Sequence, residues 1–242
     1  MSSRRLLVAD LGVMPYASAL ALQREAAMAR LAGGIADDLL LLVEHPPVIT
    51  LGRSAKAGSL LASPDLLAAR GVELFEVERG GDVTFHGPGQ LVGYPIVDLT
   101  QHRQDLHWYL RQLEAVMIRS LAAIGIAAAR NPGKTGVWVG NRKIASIGVH
   151  ARQWVTWHGF ALNVTTDLSY FDLIVPCGIQ DVTMTSVERE LLEAAGGACL
   201  APSPTLLDDV RANTVAAFSA LFELVPEPAD AATLLAAATA TQ

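Results

Sequence analysis

The chain has 242 residues, 51% of them hydrophobic and 17% charged, which excludes a disordered segment and leaves enough apolar material for a sizeable core. A formal net charge of −6 lacks the basic footprint of a general nucleic-acid binder, so no nucleic-acid partner is expected. Cys177 and Cys199 are the only cysteines, too few for a disulfide scaffold, and no apolar run approaches a membrane span. A cytoplasmic protein without a membrane partner is the expectation.

In chain order, Leu6–Val8 reads as a first strand and Pro15–Leu31 as a helix closed by Gly33-Gly34. Leu39–Val43 reads as a buried strand stopped by His45-Pro46-Pro47, with a short extended piece at Val48–Leu51. Val72–Val77 is a further strand, and it runs into the polar, glycine-rich stretch Arg79–Gln90. Leu91–Val97 follows as a strand, and Leu106–Ile124 has helical periodicity up to Gly125. Gly136–Val139, a Gly140-Asn141 turn and Lys143–Val149 make a hairpin, with Gly159–Val164 as a third member. Helices are expected near Val187–Ala195 and Pro204–Leu224. This pattern predicts an α+β fold, a mixed and largely antiparallel sheet flanked by helices. Residues 1–225 are expected to form a single domain, followed by a loosely ordered tail over 226–242.

Two segments carry chemistry. The stretch Arg79-Gly80-Gly81-Asp82-Val83-Thr84-Phe85-His86-Gly87-Pro88-Gly89-Gln90 lets the backbone pass close to a ligand with its amide N–H groups uncovered, and it equally suits an ordinary hairpin turn. It lacks the GxxxxGK[ST] pattern of a nucleotide loop. His86 within it can orient or protonate a reacting group near neutral pH. Cys177 sits between Pro176 and Gly178, a constrained turn that suits a presented thiol as well as a packed one. Cys199 reads as packing. A thiol of pKa about 8.5 needs a cation or base close by to act as a nucleophile. Lys143, His86, His150 and His158 are the candidates, and Lys143 heads an apolar strand where a desolvated amine can accept a proton. The histidines show no short metal-ligand spacing, so no metal is expected.

Taken together, these segments resemble the lipoyl/octanoyl transferase family. Glu44-His45-Pro46-Pro47-Val48 with Thr50-Leu51-Gly52 is similar to its N-terminal motif, and Arg79 through Tyr94 to its signature. Gly136-Val137-Trp138, Arg142–Gly148, His158–Asn163 and Pro176–Ile179 follow in the family's order. The resemblance implies a fold similar to the catalytic domains of biotin and lipoate protein ligases. It also implies a reaction in which octanoyl carried on acyl carrier protein passes to a cysteine thiol. From that thioester it moves to a lysine ε-amine on a lipoyl domain, with no cofactor. Acceptors would be the lipoyl domains of 2-oxoacid dehydrogenase complexes and the glycine cleavage H protein. The family's catalytic cysteine and lysine fall on Cys177 and Lys143. Its substrate-binding positions fall on Arg79–His86, on Ser146, Ile147 and Gly148, and on Gly159, Phe160 and Ala161. Gln90, Tyr94, His150 and His158 are possible supporting residues. The alternatives are an amidotransferase moving octanoyl between lipoyl-type carrier domains, an ATP-dependent lipoate or biotin ligase, and a non-catalytic binding module.

Between Glu114 and Asp167 the sequence has no acidic residue, while Arg119, Arg130, Lys134, Arg142, Lys143 and Arg152 fall there. A basic rim able to steer acidic carrier domains is the expectation, with Arg142 and Arg152 on it.

Overall fold

The computed structural model describes residues 4–175, 182–196 and 203–230. Strand β1 (Arg5–Val13), helix α1 (Tyr16–Leu31) and strand β2 (Asp38–Glu44) open the chain, followed by β3 (Val48–Leu51), α2 (Pro64–Ala69), β4 (Glu73–Glu76), β5 (Val83–His86) and β6 (Gln90–Ile96). Helix α3 (Leu106–Ala122) leads into a meander of β7 (Ala129–Asn131), β8 (Lys134–Val139), β9 (Arg142–Arg152) and β10 (Val155–Asn163). The chain then supplies β11 (Thr183–Met184), α4 (Val187–Ala194), α5 (Leu206–Phe222) and β12 (Val225–Pro228).

Nine strands form one sheet in the order β12-β1-β2-β6-β10-β9-β8-β7, with β11 beside β9. The pairings β1–β12, β1–β2 and β11–β9 are parallel and the others antiparallel, so the sheet is mixed and largely antiparallel and the fold is α+β. A small second sheet has the order β4-β3-β5.

Strand alternation divides the core. In β2, Leu40 and Leu42 join an apolar layer with Leu113 and Met117 of α3 and Val210 and Phe218 of α5. Leu39, Leu41 and Val43 point the other way, onto Ala19, Leu22 and Ala26 of α1. Because β2 is covered on both faces, it reads as an unbroken apolar run rather than an alternating one. Among the described residues, no helix is long and apolar enough to cross a membrane.

The structure departs from the sequence reading in several places, with β7 and β11 unforeseen and β10 starting four residues earlier than expected. β1 extends to Val13, well beyond Val8. Helix α2 was not foreseen, although Ser63, whose hydroxyl accepts from Leu66 N at 3.2 Å, and Pro64 form a recognisable helix start. Val83–His86, read as part of a glycine-rich loop, is a buried strand because Val83, Thr84 and Phe85 find partners along β3. The boundary at 225 is too early: Val225–Pro228 adds a parallel edge strand to β1, a position where proline is tolerated. Residues 231–242 of the expected tail lie outside the described residues.

Ending the chain at Leu224 should therefore lower the thermal midpoint, by a few degrees for each ~1 kcal/mol lost from a protein of this size. An unchanged melting curve would show that β12 contributes nothing to the sheet.

Candidate active site

A cavity of about 220 Å³ lies between the large sheet and β5. Thr84 and His86 of β5 face it, while Phe85 turns away into a separate apolar cluster with Phe171 and Leu173. β6 contributes Val92 and Tyr94, β9 contributes Lys143 and Ser146–Gly148, β10 contributes His158–Ala161, and α1 contributes Tyr16. Lys134 and Thr135 complete the lining from β8.

The β9–β10 register gives the cavity its direction. Ala161 pairs with Ser146 and Gly159 with Gly148, so the two strips singled out in the sequence lie side by side. From Lys143 to Gly148 the strand advances about 17 Å at its usual rise per residue. The glycines at 148 and 159 let Arg79 with Gly80 and β6 with Pro95 approach the ladder closely, so the trough beside it is narrow. Gly159 has no alternative: a Cβ there would stand 2.2 Å from Gly93 O.

Lys143 occupies one end of this trough and is only 2% exposed. Its stem passes under Gly136, where a Cβ would meet Lys143 Cε at 2.6 Å and where φ is +124°. Nζ lies 5.7 Å from the Trp138 ring centroid, within cation–π range. The Gly136 turn is held from behind by Glu114 of α3. That fully buried carboxylate accepts from Gly136 N at 3.2 Å, Arg130 at 2.9 Å and Arg111 at 2.6 Å. On its other side Lys143 is flanked by β11: Met184 pairs with it, and Thr185 N donates to Lys143 O at 2.9 Å. Cys177 and Cys199 lie outside the described residues.

Two histidines belong to the cavity wall or back it directly. His45 Nδ1 donates to Met14 O at 2.7 Å, which leaves Nε2 to accept from the Tyr94 hydroxyl at 2.7 Å. Burial pushes the His45 ring down to about 4. His86 stacks on Tyr16 with centroids 6.0 Å apart, and its Nδ1 meets Gln90 Oε1 at 2.8 Å. Burial, with the neighbouring His45 adding to it, pushes His86 down to about 3. Burial thus favours the neutral form of both rings. Burial raises the Tyr16 hydroxyl to about 12.

At the far end, Arg79 is buried and donates to Thr50 O at 2.7 Å and to Thr50 Oγ1 at 2.9 Å. His158 adopts φ +57° and its backbone N–H donates to Gln23 Oε1 at 3.0 Å. Its Nε2 stands 3.8 Å from Glu78 Oε1. Burial lowers the pKa of His158, opposed by Glu78. The Glu78 carboxyl is held well below the usual range by His158, against the opposing effect of burial, and further by Arg24 and Trp157.

Not every residue singled out in the sequence reaches the cavity. Arg79, Gly81–Thr84, His86, Tyr94, Lys143, Ser146–Gly148 and His158–Ala161 line it. Gly80 instead ties the loop to β9 through Val149 O, Phe85 packs away from it, and Gln90 stands behind His86. His150 lies outside, its Nδ1 at 3.1 Å from Glu78 O and its ring against Trp157. Tyr16 and Lys134 line the cavity and were missed, as was Asn163, which holds Gln90 from behind. Asn163 stood inside a quoted motif, whereas Tyr16 looked like any first-turn helix residue. The basic rim is also smaller than the sequence interval implies. Arg142 is paired with Glu190 and Glu193 and Arg130 with Glu114, acids that lie outside the interval in sequence but adjacent in space.

The lipoyl protein ligase A/B catalytic domain, as a family model, matches residues 15–198. The chain belongs to that family. An octanoyltransferase from Solibacter usitatus is 57% identical over 176 residues, covering 73% of this chain and 80% of its own length. One from Syntrophotalea carbinolica is 47% identical over 227 residues, covering 94% and 99%. Among solved structures, a lipoate-protein ligase A bound with ATP superposes with a TM-score of 0.72 at 16% identity, over 97% of this chain and 93% of that one. A bi-partite lipoate protein ligase from Thermoplasma acidophilum gives 0.66 at 17% identity, over 98% and 91%. These two ligases thus share this α+β fold with the chain across large sequence distance.

Two outcomes follow from the geometry. Gly136→Ala should cost about 1–3 kcal/mol and displace Lys143, so a variant with parental stability and activity would contradict the packing described. His45 and His86 have folded pKa values below the unfolded 6.5, so the unfolded chain binds protons that the folded one refuses. Their contribution is complete above pH 6.5 and is lost as pH falls toward 4, about 1.4 kcal/mol per pH unit for each ring. Urea unfolding at pH 7 and pH 5 reads this directly, and equal stabilities would contradict it.

Proposed function

We propose that this protein moves an octanoyl or similar medium-chain acyl group from acyl carrier protein to a lysine ε-amine of lipoyl domains, through a thioester on Cys177. The observation that carries this reading is the buried Lys143 at the end of a narrow trough that runs along β9 and β10 past Ser146, Ile147, Phe160 and Ala161. An unbranched acyl chain fits such a groove, and its carbonyl end then lies beside an amine that can carry protons. The octanoyltransferase names of relatives at 45–57% identity support the same acyl group.

In the first step Lys143 takes the thiol proton of Cys177, and the thiolate attacks the donor thioester. One C–S bond forms as another breaks, and the departing carrier thiolate receives the proton back from Lys143. In the second step a lysine amine attacks the acyl-enzyme, a C–N bond replaces the C–S bond, and the cysteine sulfur leaves with the bonding pair. A thioester lies energetically above an amide, so the transfer runs downhill without a nucleotide. Residues Val182–Ser186, which follow the Cys177 segment, run directly beside Lys143. Arg79–His86, Ser146–Gly148 and Gly159–Ala161 serve as the acyl-binding wall, with Tyr94 and Gln90 in support. A single catalytic domain carries all of these residues. The acceptors are lipoyl domains of 2-oxoacid dehydrogenase complexes and the glycine cleavage H protein.

The test is an ATP-free assay with octanoyl acyl carrier protein and a lipoyl domain, combined with mass spectrometry of the enzyme. The unsubstituted protein should acquire one octanoyl group on the Cys177 peptide and pass it on, and Cys177→Ala should do neither. Lys143→Arg should slow turnover by about 10²-fold or more. A strict requirement for ATP, or an acyl adduct elsewhere, would overturn the reading.

A further inference from the structure

Acyl transfer at Lys143 leaves the opposite end of the cavity without a role. Between the two ends the lining is largely apolar, with Val92, Ile147, Phe160 and Ala161. The end beside Gly148 and Arg79 is different. There the Tyr16 hydroxyl and His86 Nε2 have no hydrogen-bond partner among the described residues, although Tyr16 is 1% and His86 6% exposed. Neither atom is sealed inside protein, and both residues line the cavity, so the two polar atoms open onto it.

Neither group can turn aside. The Tyr16 ring stands 5.2 Å from Phe75 and 5.3 Å from His45, and it stacks on His86 at 6.0 Å between centroids. Burial raises its hydroxyl to about 12, so it remains a donor. Gln90 gives its Nε2 to Phe85 O and Asn163 Oδ1, so its Oε1 accepts from His86 Nδ1 at 2.8 Å. His86 Nε2 is then an acceptor. A donor and an acceptor on stacked rings, at the end of an apolar trough, suit water better than hydrocarbon. Arg79 closes this end, with a Cβ on Gly148 falling 3.4 Å from its Nη1.

We propose that the Tyr16 hydroxyl, together with His86 Nε2, holds water at this end and so limits the length of the acyl chain that the cavity takes. The proposal rests on the acyl-transfer reading given above, which puts the carbonyl at Lys143 and sends the methyl end toward Tyr16. Each methylene moved from water into an apolar groove tightens binding about fourfold. Stripping the water from a buried hydroxyl, with nothing in return, weakens it roughly tenfold or more. A chain therefore gains with every carbon until its methyl meets the pair, and the next carbon loses more than it gains. The limit is set by desolvation rather than by a wall. A chain that ends in a hydroxyl passes it by taking the place of the water. Tyr16 selects among chains and has no part in the bond exchange.

Competition between two acyl-pantetheine thioesters in one tube tests this, read by mass spectrometry as the initial ratio of the two adducts on the protein. Such a ratio does not depend on how much of a variant is folded. The unsubstituted protein should favour octanoyl over decanoyl, and Tyr16→Phe should raise the decanoyl-to-octanoyl ratio at least about tenfold, as two further methylenes become free to bind. A second pair tests the water directly. The thioester of 9-hydroxynonanoic acid, equal in length to decanoyl, should outcompete decanoyl on the unsubstituted protein, and Tyr16→Phe should reverse that order. A ratio unchanged by Tyr16→Phe, or decanoyl preferred to its hydroxyl counterpart by both proteins, overturns the proposal. Absence of an adduct from every thioester overturns acyl transfer itself, and the proposal with it.

Discussion

The burial of a lysine head group at the end of a trough is the constraint on which the site depends. Removing a lysine amine from water costs several kcal/mol unless the protein replaces its hydration, and Lys143 is 2% exposed. The replacement is built from several elements at once. Gly136 gives up its side chain so that the Lys143 stem can pass, and the Trp138 face lies within reach of Nζ. Glu114, buried in α3, grips the Gly136 turn from the opposite layer of the fold. β11 pairs along the Lys143 backbone on the other side. The helix layer that looks like ordinary packing thus holds the Lys143 stem in place.

The rest of the cavity is built to stay apolar while keeping polar atoms at chosen points. Burial favours the neutral form of His45 and His86, and each ring has its tautomer set by a fixed acceptor at Nδ1. Charged groups sit at the ends, Lys143 at one and the Arg79, His158 and Glu78 cluster at the other. Between them the β9–β10 ladder presents little besides backbone, Ser146, Ile147, Phe160 and Ala161. The strained backbone at His158 falls where this ladder meets the loop that carries Arg79, consistent with strain gathering at functional sites.

Much of this was legible in the sequence where a single rule dominated. The buried run Leu39–Val43, the hairpin at Gly140-Asn141 and the long helices followed directly from periodicity and turn chemistry. Val83–His86 did not, because flanking glycines signalled a loop while the strand depends on pairing with β3, a contact across more than thirty residues. β12 failed for a similar reason: Pro226 and Pro228 argue against a strand except at an edge, and whether an edge is available is a property of the whole sheet. The site divided in the same way. Motif residues on β9 and β10 converge because their strands are neighbours, whereas Tyr16 and Glu114 come from helices whose sequences show only core spacing. Arg142 carries the clearest lesson, since a cation of the acid-free interval is paired with Glu190 and Glu193 from an adjacent helix.

The central claim is that the acyl chain lies along β9 and β10 with its carbonyl beside Lys143. The direct measurement is NMR of the protein loaded with ¹³C-labelled octanoyl, reading nuclear Overhauser contacts from both ends of the chain. The account predicts contacts from the carbonyl-proximal methylenes to Lys143 and Gly136, and from the terminal methyl to Ile147 and Ala161. A terminal methyl beside Lys143, or a chain free in solvent, would contradict it.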